Sequence, residues 1–131
     1  MIDRLNTYFA APMRALNLRA ARSEVLSTNI ANSDTPHFKA RDFNFAQALQ
    51  GAHEISFAMQ RTADRHLSGN VTAPVMTALQ YRVPVQPSID GNTVEMDTEL
   101  AQFSNNAIGM QADLNFLSAR IRGMVSAIQG Q

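Results

Sequence analysis

The apolar residues Met96, Leu100, Phe103, Ala107, Met110, Leu114, Leu117, Ile121, Met124 and Ile128 recur at alternating steps of four and three. A period of 3.5 residues keeps one stripe of a helix turned toward a partner along its whole length. This stretch therefore predicts coiled-coil packing rather than a surface helix lying on a globular core. A helix of roughly 35 residues is about 50 Å long, whereas a compact domain of this chain length has a radius of gyration of roughly 14 Å. The helix is expected to project, and its stripe requires a partner.

The other end of the chain supplies a first candidate. Leu5, Phe9, Met13, Leu16, Ala20, Leu26 and Ile30 form a second amphipathic stretch, interrupted where Ser23 and Ser27 replace apolar groups. Pro12 removes one backbone donor and crowds the preceding turn, so it either opens the main helix as its first residue or kinks it. The helix should stop before Pro36, because the residue ahead of a proline avoids the α region, and Asn32, Ser33 and Asp34 suit such an exit. Charge supports pairing of the two arms. Arg4, Arg14, Arg19, Arg22, Lys39 and Arg41 outnumber Asp3, Glu24 and Asp34 by three in residues 1–41. In residues 90–131, Asp90, Glu95, Asp97, Glu99 and Asp113 outnumber Arg120 and Arg122 by the same margin. Complementary charge selects one pairing over others, and acids early with arginines late in the second helix complement its macrodipole.

Between the arms the period changes. Ile55, Phe57 and Met59 alternate with Ser56, Ala58 and Gln60, and Leu79, Tyr81, Val83 and Val85 alternate with Gln80, Arg82 and Pro84. Both read as short strands, the second on an edge because Pro84 lacks a donor. Residues 67–70 read as a turn and residues 87–92 as a loop, with Asn92 and Glu95 spaced as a capping box for the last helix. The expected fold is mainly α: two long terminal helices pairing as a coiled coil, with a small loop-rich, short-β middle segment. The divisions fall at residues 1–35, 36–91 and 92–131.

Composition and motifs exclude most chemistry. At 45% hydrophobic and 17% charged residues, the 131-residue chain makes one domain at most. Without cysteine there is neither a disulfide framework nor a thiolate metal site. No apolar run approaches the roughly 18 residues that span a bilayer. The opening Met1-Ile2-Asp3-Arg4 does not resemble a cleaved signal, so departure from the cytoplasm would use another route. His37, His53 and His66 are too scattered for a metal face. Asp90 to Glu95 has its glycine at the second position rather than the sixth required by a calcium loop. Among Glu95, Asp97 and Glu99, neighbours two apart point to different sides of a helix, and no pocket-forming sequence surrounds them, which argues against a hydrolytic carboxylate pair. No glycine-rich phosphate loop and no basic run for nucleic acid are present. No catalytic residue, cofactor, metal, nucleic-acid partner or small-molecule substrate is expected.

One segment carries identity. Asn17-Leu18-Arg19-Ala20-Ala21-Arg22 leads into Val25-Leu26-Ser27-Thr28-Asn29-Ile30-Ala31-Asn32-Ser33-Asp34-Thr35-Pro36-His37-Phe38. This resembles the amino-terminal signature of bacterial flagellar rod, hook and hook-associated proteins, with Asn29-Ile30-Ala31-Asn32 and Thr35-Pro36 as its specific core. Lys39 to Phe43, Tyr81 to Pro84 and Asp90 to Asp97 look like the B-type proximal rod branch of that family. Where the family has Gly-Tyr after the proline, this chain has His37-Phe38; if the glycine position has a positive φ, His37 must adopt αL or redirect the loop.

On its own chemistry the segment makes a corner, because Asn29, Asn32, Ser33, Asp34 and Thr35 can bond carbonyls released at a helix end. The resemblance implies a non-enzymatic building block of the flagellar basal body. It would be exported by the flagellar type III apparatus without a cleaved signal and would polymerise as part of a rod crossing the periplasm. Its implied partners are further copies, other rod proteins and the membrane-ring and export-gate adaptor at the rod base. The interface expected on that basis comprises Leu16, Ala20, Leu26 and Ile30 with Leu100, Phe103, Ala107, Met110, Leu114, Leu117, Ile121, Met124 and Ile128. Two other readings compete: a peptidoglycan-acting cap factor or enzyme of the same apparatus, and a cytoplasmic coiled-coil export adaptor.

Overall fold

The computed structural model describes residues 2–54 and 79–130. In chain order the elements are α1 (Ile2–Ala31), β1 (Arg41–Asp42), α2 (Phe45–Glu54), β2 (Gln80–Tyr81) and α3 (Met96–Gln129). The long helices α1 and α3 pack side by side and antiparallel: Asn29 meets Glu99, Arg19 meets Asp113, and Arg120 lies over the Tyr8 ring. The expected pairing of two terminal helices is therefore the frame of the molecule. Pro12 lies inside α1 rather than opening it, at the loss of one intrahelical hydrogen bond.

Both helix ends have identifiable causes. At the end of α1, Asn32 N–H donates to the Thr28 and Asn29 carbonyls, and the Asn32 side chain donates to Thr28 O at 2.8 Å. Carbonyls that the helix can no longer satisfy are thereby occupied. Helix α3 closes on Gly130, whose φ of 72° lets its N–H reach Ser126 O. Its beginning departs from expectation. The N-cap is Glu95, which makes no capping hydrogen bond, and the Asn92–Glu95 capping box does not form. The Glu95 carboxylate instead accepts from Val85 and Gln86 N–H, and Asn92 bonds back to the end of α1.

Two elements were not anticipated. Helix α2 is announced by Asn44, whose Oδ1 accepts from Gln47 N–H, and by apolar groups at Phe45, Ala48 and Leu49. Strand β1 is only a residue pair, antiparallel to β2 with Arg41 opposite Tyr81 and Asp42 opposite Gln80. The strand expected over 79–85 is confined to Gln80–Tyr81 and its continuation is extended chain, since Pro84 cannot donate to a ladder. The strand expected at 55–60 and the turn at 67–70 lie outside the described residues.

Leu18, Phe43 and Ala48 form a small apolar core, with Phe45 and Leu49 packed against it. The largest fully buried side chains, however, are Leu26, Glu99, Asn29 and Asn106. Three of these four are polar, so hydrogen bonding rather than apolar packing decides how the upper halves of α1 and α3 fit.

Candidate assembly interface

Along α3, the side turned to α1 carries Glu99, Gln102, Asn106, Gly109 and Asp113. Asn29 Nδ2 donates to Glu99, Arg22 to Gln102 at 3.1 Å, and Asn106 to Arg19 O and Ser23 Oγ at 2.8 and 2.9 Å. Arg19 pairs with Asp113 and stacks 4.6 Å from the Phe45 ring centre. Gly109 makes this possible, because a Cβ there would collide with the Arg19 guanidinium.

These polar positions precede the apolar stripe by one residue, which on a helix is a rotation of about 100°. The stripe is consequently turned away from α1. Met96, Leu100, Phe103, Ala107, Leu114, Ile121 and Ile128 are exposed, whereas Met110, Leu117 and Met124 are half-buried. On α1, Leu26 is fully buried, Leu16 and Ile30 are half-buried, and Ala20 is exposed. Ser23, which breaks the apolar pattern of α1, is where Asn106 docks. The polar interruption of α1 thus meets a polar position beside the α3 stripe, a pairing that spacing alone does not disclose.

Beside the helix pair, Arg22 and Arg82 share Asp42. Arg22 Nη2 is 2.8 Å from its carboxylate and Arg82 Nη2 is 2.6 Å away, while Arg82 Nη1 also binds Glu99. Two arginines and two carboxylates from four segments form a charge-balanced cluster. Burial pushes the Glu99 carboxyl above its ordinary value, a rise that the Asn29 hydrogen bond and the Arg82 charge oppose without cancelling. Burial also pushes Asp42 upward, but the hydrogen bonds from Arg22 and Phe43 N–H, with the positive charge of Arg22, outweigh it and hold this carboxyl below its ordinary value.

The corner after α1 is held from both sides. Asn29 is buried; its Nδ2 donates to Arg41 O at 2.7 Å and its Oδ1 accepts from Arg41 N–H at 3.2 Å, so it acts as a strand neighbour for β1. Thr35 Oγ1 donates to Asn32 Oδ1, and Asn92 Nδ2 approaches the carbonyls of Asn32, Ser33 and Thr35 at 3.1, 2.6 and 3.1 Å. Ala31 and Pro36 face solvent. His37 has a φ of 62°, so this residue adopts αL instead of redirecting the loop, and its ring abuts Gly91, itself at a φ of 74°. His37→Gly should therefore stabilise the protein by about 0.5–1 kcal/mol. It relieves an αL cost of about 1–2 kcal/mol and loses part of that gain to unfolded-chain entropy. A urea midpoint that falls in the variant would show that imidazole contacts outweigh the backbone cost.

A groove of about 450 Å³ beside the corner is lined by Val25, Phe38 and Leu79 together with Glu24 and Arg41. Among the described residues, no helix is long and apolar enough to cross a membrane.

Comparison with known proteins gives this geometry a context. The profile of the flagella basal body rod protein family matches residues 10–39, which contain most of α1 and the corner. The chain is 44% identical to flagellar basal body rod protein FlgB of Escherichia coli (strain K12) over 98% of both chains. Identity is 44% over 98% of both chains to FlgB of Yersinia ruckeri, and 42% over 99% of both to FlgB of Salmonella typhimurium. Similarity at this level runs through both long helices, the corner and the segment between them, and the chain belongs to the FlgB family of flagellar basal body rod proteins.

Proposed function

We propose that this chain is a structural subunit of the flagellar basal-body proximal rod and assembles through its terminal helices. The observation that carries the reading is the apolar stripe of α3. Most of it remains on the surface, while the side facing α1 is occupied by polar contacts from Glu99 and Asn106. A contiguous exposed apolar stripe marks an interaction surface, and family membership names the structure in which it would be covered.

In this reading residues 1–35 and 92–131 supply the polymerising arms and residues 36–91 form a module carried beside them. The partners are further copies, other rod proteins and, at the base, the membrane-ring and export-gate adaptor, reached through the flagellar type III export apparatus. The relatives are rod proteins, which favours neither a peptidoglycan-acting factor nor a cytoplasmic adaptor. An epitope-tagged chain replacing the native copy in a flagellated host should purify with hook and basal bodies as a stoichiometric component. Recovery only from cytoplasm or culture medium, with normal basal bodies formed without it, would overturn the assignment.

A further inference from the structure

Glu99, Asn106 and Asp113 recur every seven residues and set three polar contacts in a row against α1: on Asn29, on Ser23 with Arg19 O, and on the Arg19 side chain. The outer two carboxylates are matched by the cations Arg82 and Arg19. The middle contact is neutral. Asn106 is 1% exposed, and its Oδ1 has no hydrogen-bond partner among the described residues. That orientation of the amide is imposed, because Arg19 O can only accept, so Nδ2 faces it and Oδ1 is turned away.

A buried, unpaired carbonyl oxygen destabilises the fold that contains it. Removing the Asn106 amide would strand nothing. Arg19 O lies inside α1, where the N–H four residues on is its regular partner, and Ser23 Oγ can turn to the same carbonyl. An apolar side chain of the same branched shape would therefore hold the two helices together at least as well. Asn106 supplies something else, two directed bonds to fixed points on α1, whereas apolar contact is non-directional. Its neighbours on the helix surface, three residues before and four after, are Phe103 and Met110 of the apolar stripe. With an apolar group at position 106 the stripe and the seam would merge into one broad apolar side, and nothing in the middle of α3 would fix which part of it meets α1.

We infer that Asn106 is a positioning residue: it gives up stability to set the rotation of α3, and so keeps the apolar stripe outward for assembly. A single buried asparagine fixes register in coiled coils at the same kind of cost. The inference rests on the rod-subunit reading for the use of the stripe, but not for the rotation, which belongs to the isolated subunit.

The chain has no cysteine, so the rotation is open to thiol labelling. Asn105 and Ala107 flank Asn106 and are both exposed. Asn105→Cys and Ala107→Cys are each made alone and together with Asn106→Leu, and the isolated subunits are labelled with a maleimide. Asn106→Leu should slow labelling at position 107 several-fold relative to position 105, as α3 turns its stripe inward. In the cysteine-free chain the same substitution should leave the urea midpoint unchanged or raise it, yet lower incorporation into basal bodies several-fold. A labelling ratio that stays at its original value overturns the positioning role and leaves the rotation to the charged contacts of Glu99 and Asp113. A urea midpoint that falls overturns it as well, since Asn106 would then serve stability. A changed ratio with normal incorporation upholds the rotation and overturns the use of the stripe in the rod.

Discussion

Arg82→Met is expected to lower the free energy of unfolding by about 3–5 kcal/mol, because removing one partner of a buried ion pair leaves an uncompensated charge. Arg82 is the cation that holds Glu99, which is fully buried, and it also binds Asp42. A loss of that size is a large share of the roughly 5–15 kcal/mol that stabilises a domain. Urea unfolding followed by circular dichroism measures it, and Arg82→Lys serves as the comparison. Lysine keeps the charge without the planar fork that contacts two carboxylates at once, so it should recover only part of the loss. If methionine costs less than about 1 kcal/mol, the cluster is an ornament of a fold held by the helices alone.

The same cluster sets a pH dependence. Glu99 has its folded value raised above the ordinary 4.5, so its contribution is fully present below that pH and is lost as pH rises through the folded value. Asp42 has its folded value lowered below 3.8; its contribution is present above that pH and is lost as pH falls through the folded value. Glu99→Gln removes the first effect alone. Its urea midpoint should therefore gain on the wild type as pH rises above 4.5, and a constant difference from pH 4 to 7 would contradict the raised carboxyl.

Leu114→Asp should abolish incorporation into the rod while leaving the isolated subunit folded. Leu114 is exposed on the side of α3 away from α1, so within one subunit the change should be worth no more than about 0.5 kcal/mol. In an assembled rod the same position would lose the roughly 1.5–3 kcal/mol that a buried leucine contributes and add the desolvation of an unpaired carboxylate. Asn115→Asp, the adjacent exposed position, introduces the same charge and should assemble normally. Secreted subunit and basal-body content are measured separately, with urea midpoints as the test of folding. Equal incorporation of the two variants would mean that the stripe is not an interface.

The sequence carried much of this protein unaided. The 3.5-residue period of α3, the amphipathic run of α1, the asparagine-rich exit and the strain placed on His37 all depend on neighbours within a few residues, where spacing and backbone preference act directly. Helix α2 was also available, through Asn44 and the spacing of Phe45, Ala48 and Leu49, but it was obscured by the loop-like texture around it.

What only the tertiary structure decided is which side of α3 meets α1. Periodicity identifies an apolar side of a helix but not its rotation about the axis when another side offers better partners. Glu99, Asn106 and Asp113 find Asn29, Ser23 and Arg19 across 70 to 94 residues of chain. These long-range partners offset the burial of the polar groups, and the Arg19 guanidinium occupies space that a Cβ on residue 109 would enter. A long-range contact drew Asn92 into the corner, while Glu95 turned from capping α3 to the nearby loop. Local spacing thus specified the helices, whereas reciprocal satisfaction of distant polar groups specified how they meet and left the apolar stripe outside.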